Sequence, residues 1–244
     1  MDGIHISLKA EELSHFFGLP ITNTLVTSWV SVAVLLLIAI LVGRNIKLVP
    51  GKVQAFFESG FEYVLNYMEE VLGEKKIARF FFPLIASFFL FIFVSNMLEF
   101  IPGVGSIGFW RGEEFIPLFR SVNTDLNVTL ALSIIAMIVV QVSGIVALGV
   151  LKYFSKFVSL KSPMRFFIGI IDLFSEVARL VSFSFRLFGN IFAGEAVIAV
   201  LIYFAPYMVP VPILLFEVFV GFIQAAIFAL LTLFFIQLAR TPPH

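Results

Sequence analysis

The sequence predicts an all-α membrane protein: five membrane-crossing helices plus one amphipathic interfacial helix, the last two crossings long and steeply tilted. Three observations predict it. Hydrophobic residues make up 60% of the 244-residue chain and charged residues only 13%, against roughly 25% charged in soluble domains. Several apolar runs approach the ~20 residues that a helix needs to cross a hydrocarbon core. An apolar run of that length satisfies its backbone polar groups in lipid by closing them within one helix.

Composition removes several classes of function. Net charge is zero, so there is no basic footprint for nucleic acid. The chain has no Cys, which excludes disulfides, iron–sulfur clusters and thiol chemistry. His5, His15 and His244 all lie outside the apolar segments, which leaves no intramembrane imidazole for a haem or zinc site. No cofactor and no metal are expected.

Residues 1–20 carry Asp2, Glu11 and Glu12 with no basic start and no short apolar core, so they are not expected to form a cleavable signal. Residues 1–24 read as an exposed or interfacial polar segment on the outer side. Leu25–Val42 is uncharged and closes on Gly43-Arg44-Asn-Ile-Lys47, the pattern of a span with basic residues at its far end. Pro50-Gly51 then breaks the chain. Over 52–72, Val53, Phe56, Phe57, Phe61, Val64, Met68 and Val71 recur at helical spacing opposite Gln54, Glu58, Glu62 and Glu69. That is an amphipathic helix at the membrane surface, or one docked on a soluble partner.

Phe80–Ile101 is the second span and carries Asn96 and Glu99 near its exit. Residues 102–124 read as a loop. Gly103-Val-Gly105-Ser-Ile-Gly108 within it matches a dinucleotide-binding pattern by letters, but no βαβ unit surrounds it and the match is assigned to chance. Leu126–Val150 is the third span, without charge. Pro163 marks the next helix start. From Arg165 to about Phe204 only Gly interrupts the apolar pattern. A helix of ~40 residues would be ~60 Å long, about twice the ~30 Å core, so it must tilt, bend or run beyond the core. Pro206, Pro210 and Pro212 make the following turn, and Ile213–Leu238 is the last span. The chain is thus one integral membrane domain, with residues 165–240 as a helical hairpin.

Five crossings put Arg44, Lys47, Lys52, Lys75, Lys76, Arg79, Lys152, Lys156, Lys161, Arg165 and Arg240 on one side and Lys9, Arg111 and Arg120 on the other. The positive-inside rule then expects the C-terminus in the cytoplasm and the N-terminus outside, by default in a bacterial inner membrane.

Arg186 stands amid Val181-Ser-Phe-Ser-Phe-Arg186-Leu-Phe-Gly-Asn190. Guanidinium keeps its proton because its pKa exceeds ~12. Placing it at mid-membrane costs from ~3 to over 10 kcal/mol, so it should face water, a mobile carboxylate, or both. At ~100° per residue, Asp172, Glu176, Arg179, Arg186 and Asn190 share a stripe about 80° wide. Glu195 is half a turn away from Arg186, nearer the outer end. Glu217 and Gln224 share one face of the last helix, with Glu217 able to pair with Glu195. The physical reading is two separate aqueous pockets, one lined by Asp172 and Glu176, the other including Glu195, with Arg186 as the barrier between them. Other readings stay open. Asp172, Glu176 and Arg179 also fit an interfacial ion network, Glu195 and Glu217 also fit plain interfacial residues, and Gln224 and Asn190 also fit helix–helix hydrogen bonds.

The segment Ser184-Phe-Arg186-Leu-Phe-Gly-Asn190 with Ala193-Gly-Glu195, and Gln224-Ala-Ala-Ile-Phe-Ala-Leu-Leu-Thr, resemble subunit a of the F-type ATP synthase, the membrane stator of a rotary motor. Pro50-Gly-Lys52-Val-Gln, Asn96-Met-Leu-Glu99-Phe-Ile-Pro102 and Asp125-Leu-Asn-Val-Thr-Leu130 support it. The resemblance implies that Arg186 is the essential charge for ion transfer and that Asn190, Glu195 and Gln224 line the ion path. It places Asp172 at an acidic position of the cytoplasmic half-channel. At position 217 some members have His; Glu217 stands there here, so the outer pocket has two carboxylates and no imidazole. The implied partners are a ring of c subunits, peripheral-stalk b subunits and the lipid bilayer. A proton would enter from outside, ride a ring carboxylate through lipid, and leave where that carboxylate meets Arg186. A charge falling through 100 mV yields ~2.3 kcal/mol, so several are needed per ATP. The chain has no P-loop and is expected to bind no nucleotide itself. The competing readings are a stand-alone secondary transporter or channel, and a purely structural scaffold.

Overall fold

A computed structural model describes residues 10–16, 18–44, 46–101, 107–112, 114–155, 157, 163–204 and 208–241. The elements run in the order β1 (Glu12–Phe16), β2 (Leu19–Thr22), α1 (Asn23–Gly43), α2 (Lys52–Leu72), α3 (Lys75–Glu99), β3 (Gly108–Arg111), β4 (Glu114–Pro117), a 3₁₀ turn (Val122–Thr124), α4 (Leu126–Leu148), α5 (Val150–Phe154), α6 (Pro163–Phe204) and α7 (Pro210–Arg240). Five of the described helices, α1, α3, α4, α6 and α7, are long and apolar enough to cross a membrane. The protein is an all-α multi-pass membrane protein.

Helix boundaries follow local chemistry. Thr22 caps α1, its side chain accepting from Leu25 N–H, and Asp125 caps α4, accepting from Asn127 N–H. Pro163 opens α6 and Pro210 opens α7, where a missing N–H costs nothing. Pro210 and Pro212 therefore belong to the first turn of α7, not to the turn before it; Pro206 lies outside the described residues. Gly73 closes α2 with φ 75°, a left-handed cap that other residues resist. Gly149 ends α4 at φ 81°, ψ 151°, a region open essentially to glycine alone. The third span accordingly stops at Leu148 and the chain turns into the short α5.

Two connecting segments carry short hairpins. Part of the polar N-terminal stretch forms a β1–β2 hairpin that ends directly on α1, with Asn23 N–H donating to the Glu11 carbonyl at 3.1 Å; residues 1–9 lie outside the described residues. Part of the 102–124 loop is likewise ordered, as the β3–β4 hairpin and the 3₁₀ turn. Gly103 and Gly105 of the glycine pattern lie outside the described residues.

The bundle is packed in two tiers. Toward the end carrying the C-terminus, Met68 and Leu72 of α2 meet Phe81 and Ile85 of α3, Val140 of α4 and Leu233 and Ile236 of α7. Deeper in, Phe88 and Ile92 of α3 meet Ala136 of α4, Phe183 and Leu187 of α6, and Ala225 and Phe228 of α7. Only the second half of α2 is seated there; Val53 and Phe56 in its first half remain exposed.

α1 has the reverse polarity of a soluble helix. Its buried residues are Asn23, Thr24, Thr27 and Ser31, while Trp29, Leu36, Leu37 and Leu41 are exposed. In lipid, apolar surface loses nothing by exposure, and helices associate through packing and polar contacts. Thr24 donates to Asp125 (2.9 Å), Ser95 of α3 donates to Ser31 (3.1 Å), and Arg120 N–H donates to the Thr27 hydroxyl (3.1 Å).

Candidate functional site

α6 has 42 residues and α7 has 31, so they are ~63 and ~46 Å long, both beyond a ~30 Å core. The ionisable residues of interest lie along these two helices. Two ends of the bundle can be told apart: a loop end, with β3–β4, the 3₁₀ turn and the start of α7, and a tail end, with α5 and the C-terminus of α7.

Arg186 lies within α6, half-buried. Its Nη2 donates to Ser182 at 3.2 Å, and it borders a narrow crevice with Phe183, Leu187, Gln224 and Phe228. It forms no ion pair among the described residues. Gln224 of α7 is therefore beside Arg186. From Gln224 a cleft of about 480 Å³ runs toward the loop end between α6 and α7, lined by Asn190, Ala193, Gly194, Phe216 and Glu217 among others. Asn190 is exposed on it, whereas Glu217 and Gln224 are buried at 8% exposure each.

The Glu217 carboxyl is pressed against Gly194, and a Cβ there would collide with it. Glycine at 194 is what lets the carboxyl reach the α6 backbone. Gly189, by contrast, has open space where a Cβ would be, among the described residues.

Glu195 is brought to the same end of the bundle as Glu217, but its ion-pair partner is Arg120, with Nη2 to Oε2 at 3.8 Å. Thr124 stands beside it, and its Oε2 has no hydrogen-bond partner among the described residues. Glu99, at the end of α3, lies within electrostatic reach of Arg120, Glu195 and Glu217. Arg120 is itself held inward, its side chain only 8% exposed. Behind it a chain of amides links the connecting segment to α7: Asn123 donates to Asn96 (2.6 Å), and Asn96 donates to the Gly221 carbonyl (3.0 Å).

Glu99, Arg120, Asn96 and Asn123 were not among the residues that the sequence singled out for the ion path. A signal for two of them existed. Glu99 and Arg120 are opposite charges assigned to the same side of the membrane as Glu195, at the mouth of adjacent spans.

Toward the tail end, Arg179 Nη1 pairs with Glu176 Oε1 at 2.7 Å, and Gln141 of α4 donates to Glu176 Oε2 at 3.0 Å. The Arg179 guanidinium also sits 4.8 Å over the Phe235 ring of α7. Asp172, one turn away on α6, is half-buried and has no ion pair among the described residues. The predicted stripe thus has a paired middle (Glu176, Arg179) flanked by residues without an ion pair among the described residues, Asp172 on one side and Arg186 and Asn190 on the other. No group of acidic or His side chains among the described residues is arranged to hold a metal ion.

Fold and site together define a multi-pass helical membrane protein whose two longest helices carry ionisable side chains along their shared cleft. Residues 25–237 match the family described as ATP synthase A chain. The chain is 38% identical to ATP synthase subunit a of Geotalea daltonii over 86% of its own length and 84% of that protein. It is 33% identical to the subunit a of Moorella thermoacetica (94% and 95% covered) and 35% identical to that of Trichlorobacter lovleyi (98% and 96% covered). The chain belongs to the ATP synthase A chain family, a non-catalytic membrane subunit of that complex.

Proposed function

We propose that this subunit carries protons across the membrane through two offset half-channels, with Arg186 as the charge that separates them. The observation that carries the reading is Arg186 itself: a permanent cation in the longest membrane helix, without a carboxylate partner among the described residues. Such a group repels a proton moving straight through and attracts an ionised carboxylate brought to it from outside the chain.

The loop-end half-channel runs along the cleft past Glu217, Asn190 and Gln224, with Glu195 and Glu99 supplying further carboxylates and Arg120 balancing their charge. The tail-end half-channel is approached past the stretch of α6 that carries Asp172 and, one turn on, Glu176. The helical hairpin 165–240, steeply tilted, faces a ring of c subunits whose carboxylates take a proton from the first half-channel and release it into the second. The exposed apolar faces of α1 and of the first half of α2 are available to lipid and to peripheral-stalk b subunits. Charge distribution supports a cytoplasmic C-terminus, an outer N-terminus and a bacterial inner membrane.

The test uses inverted membrane vesicles carrying the complete ATP synthase. Arg186→Ala is expected to abolish ATP-driven proton pumping while the complex still assembles. Pumping at the normal rate by that variant would remove the reading. A stand-alone transporter is distinguished by reconstituting the purified chain alone, which should conduct no protons.

A further inference from the structure

We infer that Glu176 is a positioning residue rather than a proton carrier: with Arg179, Gln141 and Tyr153 it forms a latch that fixes the rotation of α6, and so of Arg186, leaving Asp172 as the acid of the tail-end half-channel. This rests on the half-channel reading above.

Both oxygens of Glu176 are engaged. Oε1 accepts from Arg179 at 2.7 Å and Oε2 from Gln141 at 3.0 Å. Gln141 is held in turn, its Oε1 accepting from the Tyr153 hydroxyl. Burial pushes the Tyr153 hydroxyl up to about 12, so it remains a donor throughout the physiological range. Arg179 completes the set by lying over Phe235. One carboxylate thereby ties α6 to α4, α5 and α7. A proton placed on Glu176 would cost it a charge-assisted hydrogen bond on one oxygen or the other, whereas Asp172 has no ion pair to give up among the described residues.

The surrounding backbone is shaped for this contact. Gly149, in a conformation that other residues resist, turns α5 back so that Tyr153 lies against Gly144 of α4 and is 2% exposed. A Cβ at Gly144 would collide with the Tyr153 ring and come within 2.8 Å of the Ala239 carbonyl of α7. Glycine at 144 therefore lets α4, α5 and α7 close on one another around the latch. Arg186 is seven residues beyond Arg179, about two turns along the same face, so the angle at which Arg179 is held sets the direction in which Arg186 points.

The test measures ATP-driven pumping by the complete complex in inverted vesicles as a function of pH on the C-terminal side. Glu176→Gln and Gln141→Leu should each slow pumping roughly tenfold, as loss of a charge-assisted hydrogen bond predicts. The double variant should be no slower than the slower single one, because both break one unit. None of these changes should shift the midpoint of the pH profile, whereas Asp172→Asn should. The latch is overturned if Glu176→Gln shifts the midpoint, or if Gln141→Leu pumps normally, or if the double variant is much slower than either single one. Should Glu176→Gln fail to assemble, Tyr153→Phe carries the test. It removes one hydroxyl and keeps the ring, and it should slow pumping about two- to fivefold, as loss of a neutral hydrogen bond predicts, with an unmoved midpoint; a normal rate would overturn the latch. Normal pumping by Arg186→Ala is a separate outcome, which would remove the half-channel reading and leave the coupling among the latch residues standing.

Discussion

Near the loop end of α6, Glu195 is ion-paired to Arg120 at 3.8 Å through a buried oxygen that has no hydrogen bond among the described residues, close to the cleft of about 480 Å³ that Glu217 lines. Toward the tail end, Glu176 has both oxygens hydrogen-bonded, to Gln141 and Arg179, and these are held in turn by Tyr153 and Phe235. The two carboxylates are of the same residue type on the same helix, and their surroundings set them apart. A carboxylate that must exchange protons needs a free oxygen and a route to water. A carboxylate that holds helices together needs neither. Intramembrane charge alone marks a residue as expensive; the number of partners says what the expense is for.

Among changes to the two sets of carboxylates, the largest effect should come from removing the loop-end pair. Glu195→Gln combined with Glu217→Gln should slow proton uptake from the loop side roughly a hundredfold, the scale of losing a proton-transfer group, with the complex still in the membrane. Unchanged rates between pH 6 and 8 would undo the contrast drawn above. A smaller effect is expected at Gly194. Ala there should displace the Glu217 carboxyl from its seat and slow pumping about tenfold, as misplacement of a proton-transfer group predicts. Adding Glu217→Gln should then change little further, because the two changes share one cause.

Gly144→Ala sharpens the contrast from the other side. Its Cβ meets a ring and a backbone carbonyl, and overpacking of that kind costs ~1–3 kcal/mol. The loss should appear as a lower yield and a lower unfolding temperature of the assembled complex. The smallest effect is expected from Thr27→Val, which deprives the Arg120 N–H of its 3.1 Å acceptor. About 1 kcal/mol should be lost, read as a small drop in the unfolding temperature of the complex in detergent.

The membrane helices were legible because lipid imposes a length and Pro, Gly and charge mark the ends. The amphipathic helix at 52–72 coincides with α2, and the long stretch from Arg165 to Phe204 differs from α6 by two residues at its start. The hairpins at 12–22 and 108–117 were not legible, because strands of four or five residues leave too little alternation to read. Arg120 beside Glu195 was hidden for another reason. Helical periodicity relates residues on one helix, whereas this pair is joined by a connecting segment whose course depends on Thr27, Asp125 and Asn96. Gln141 was likewise passed over as one polar letter in an apolar span. Its importance comes from Glu176 and Tyr153, which only the folded chain brings to it.

The hydroxyls of α1 have one more consequence. That helix is fastened along its first half by Thr24, Thr27 and Ser31, and its second half shows Leu36, Leu37, Ile40 and Leu41 to the surroundings. Greasy solvent therefore acts as the clamp on one half and three alcohol groups act as the clamp on the other. When the complex is stripped of lipid, the half with no alcohols loses its apolar surroundings, so unravelling should begin near Gly43 and travel back toward the hydroxyl rungs.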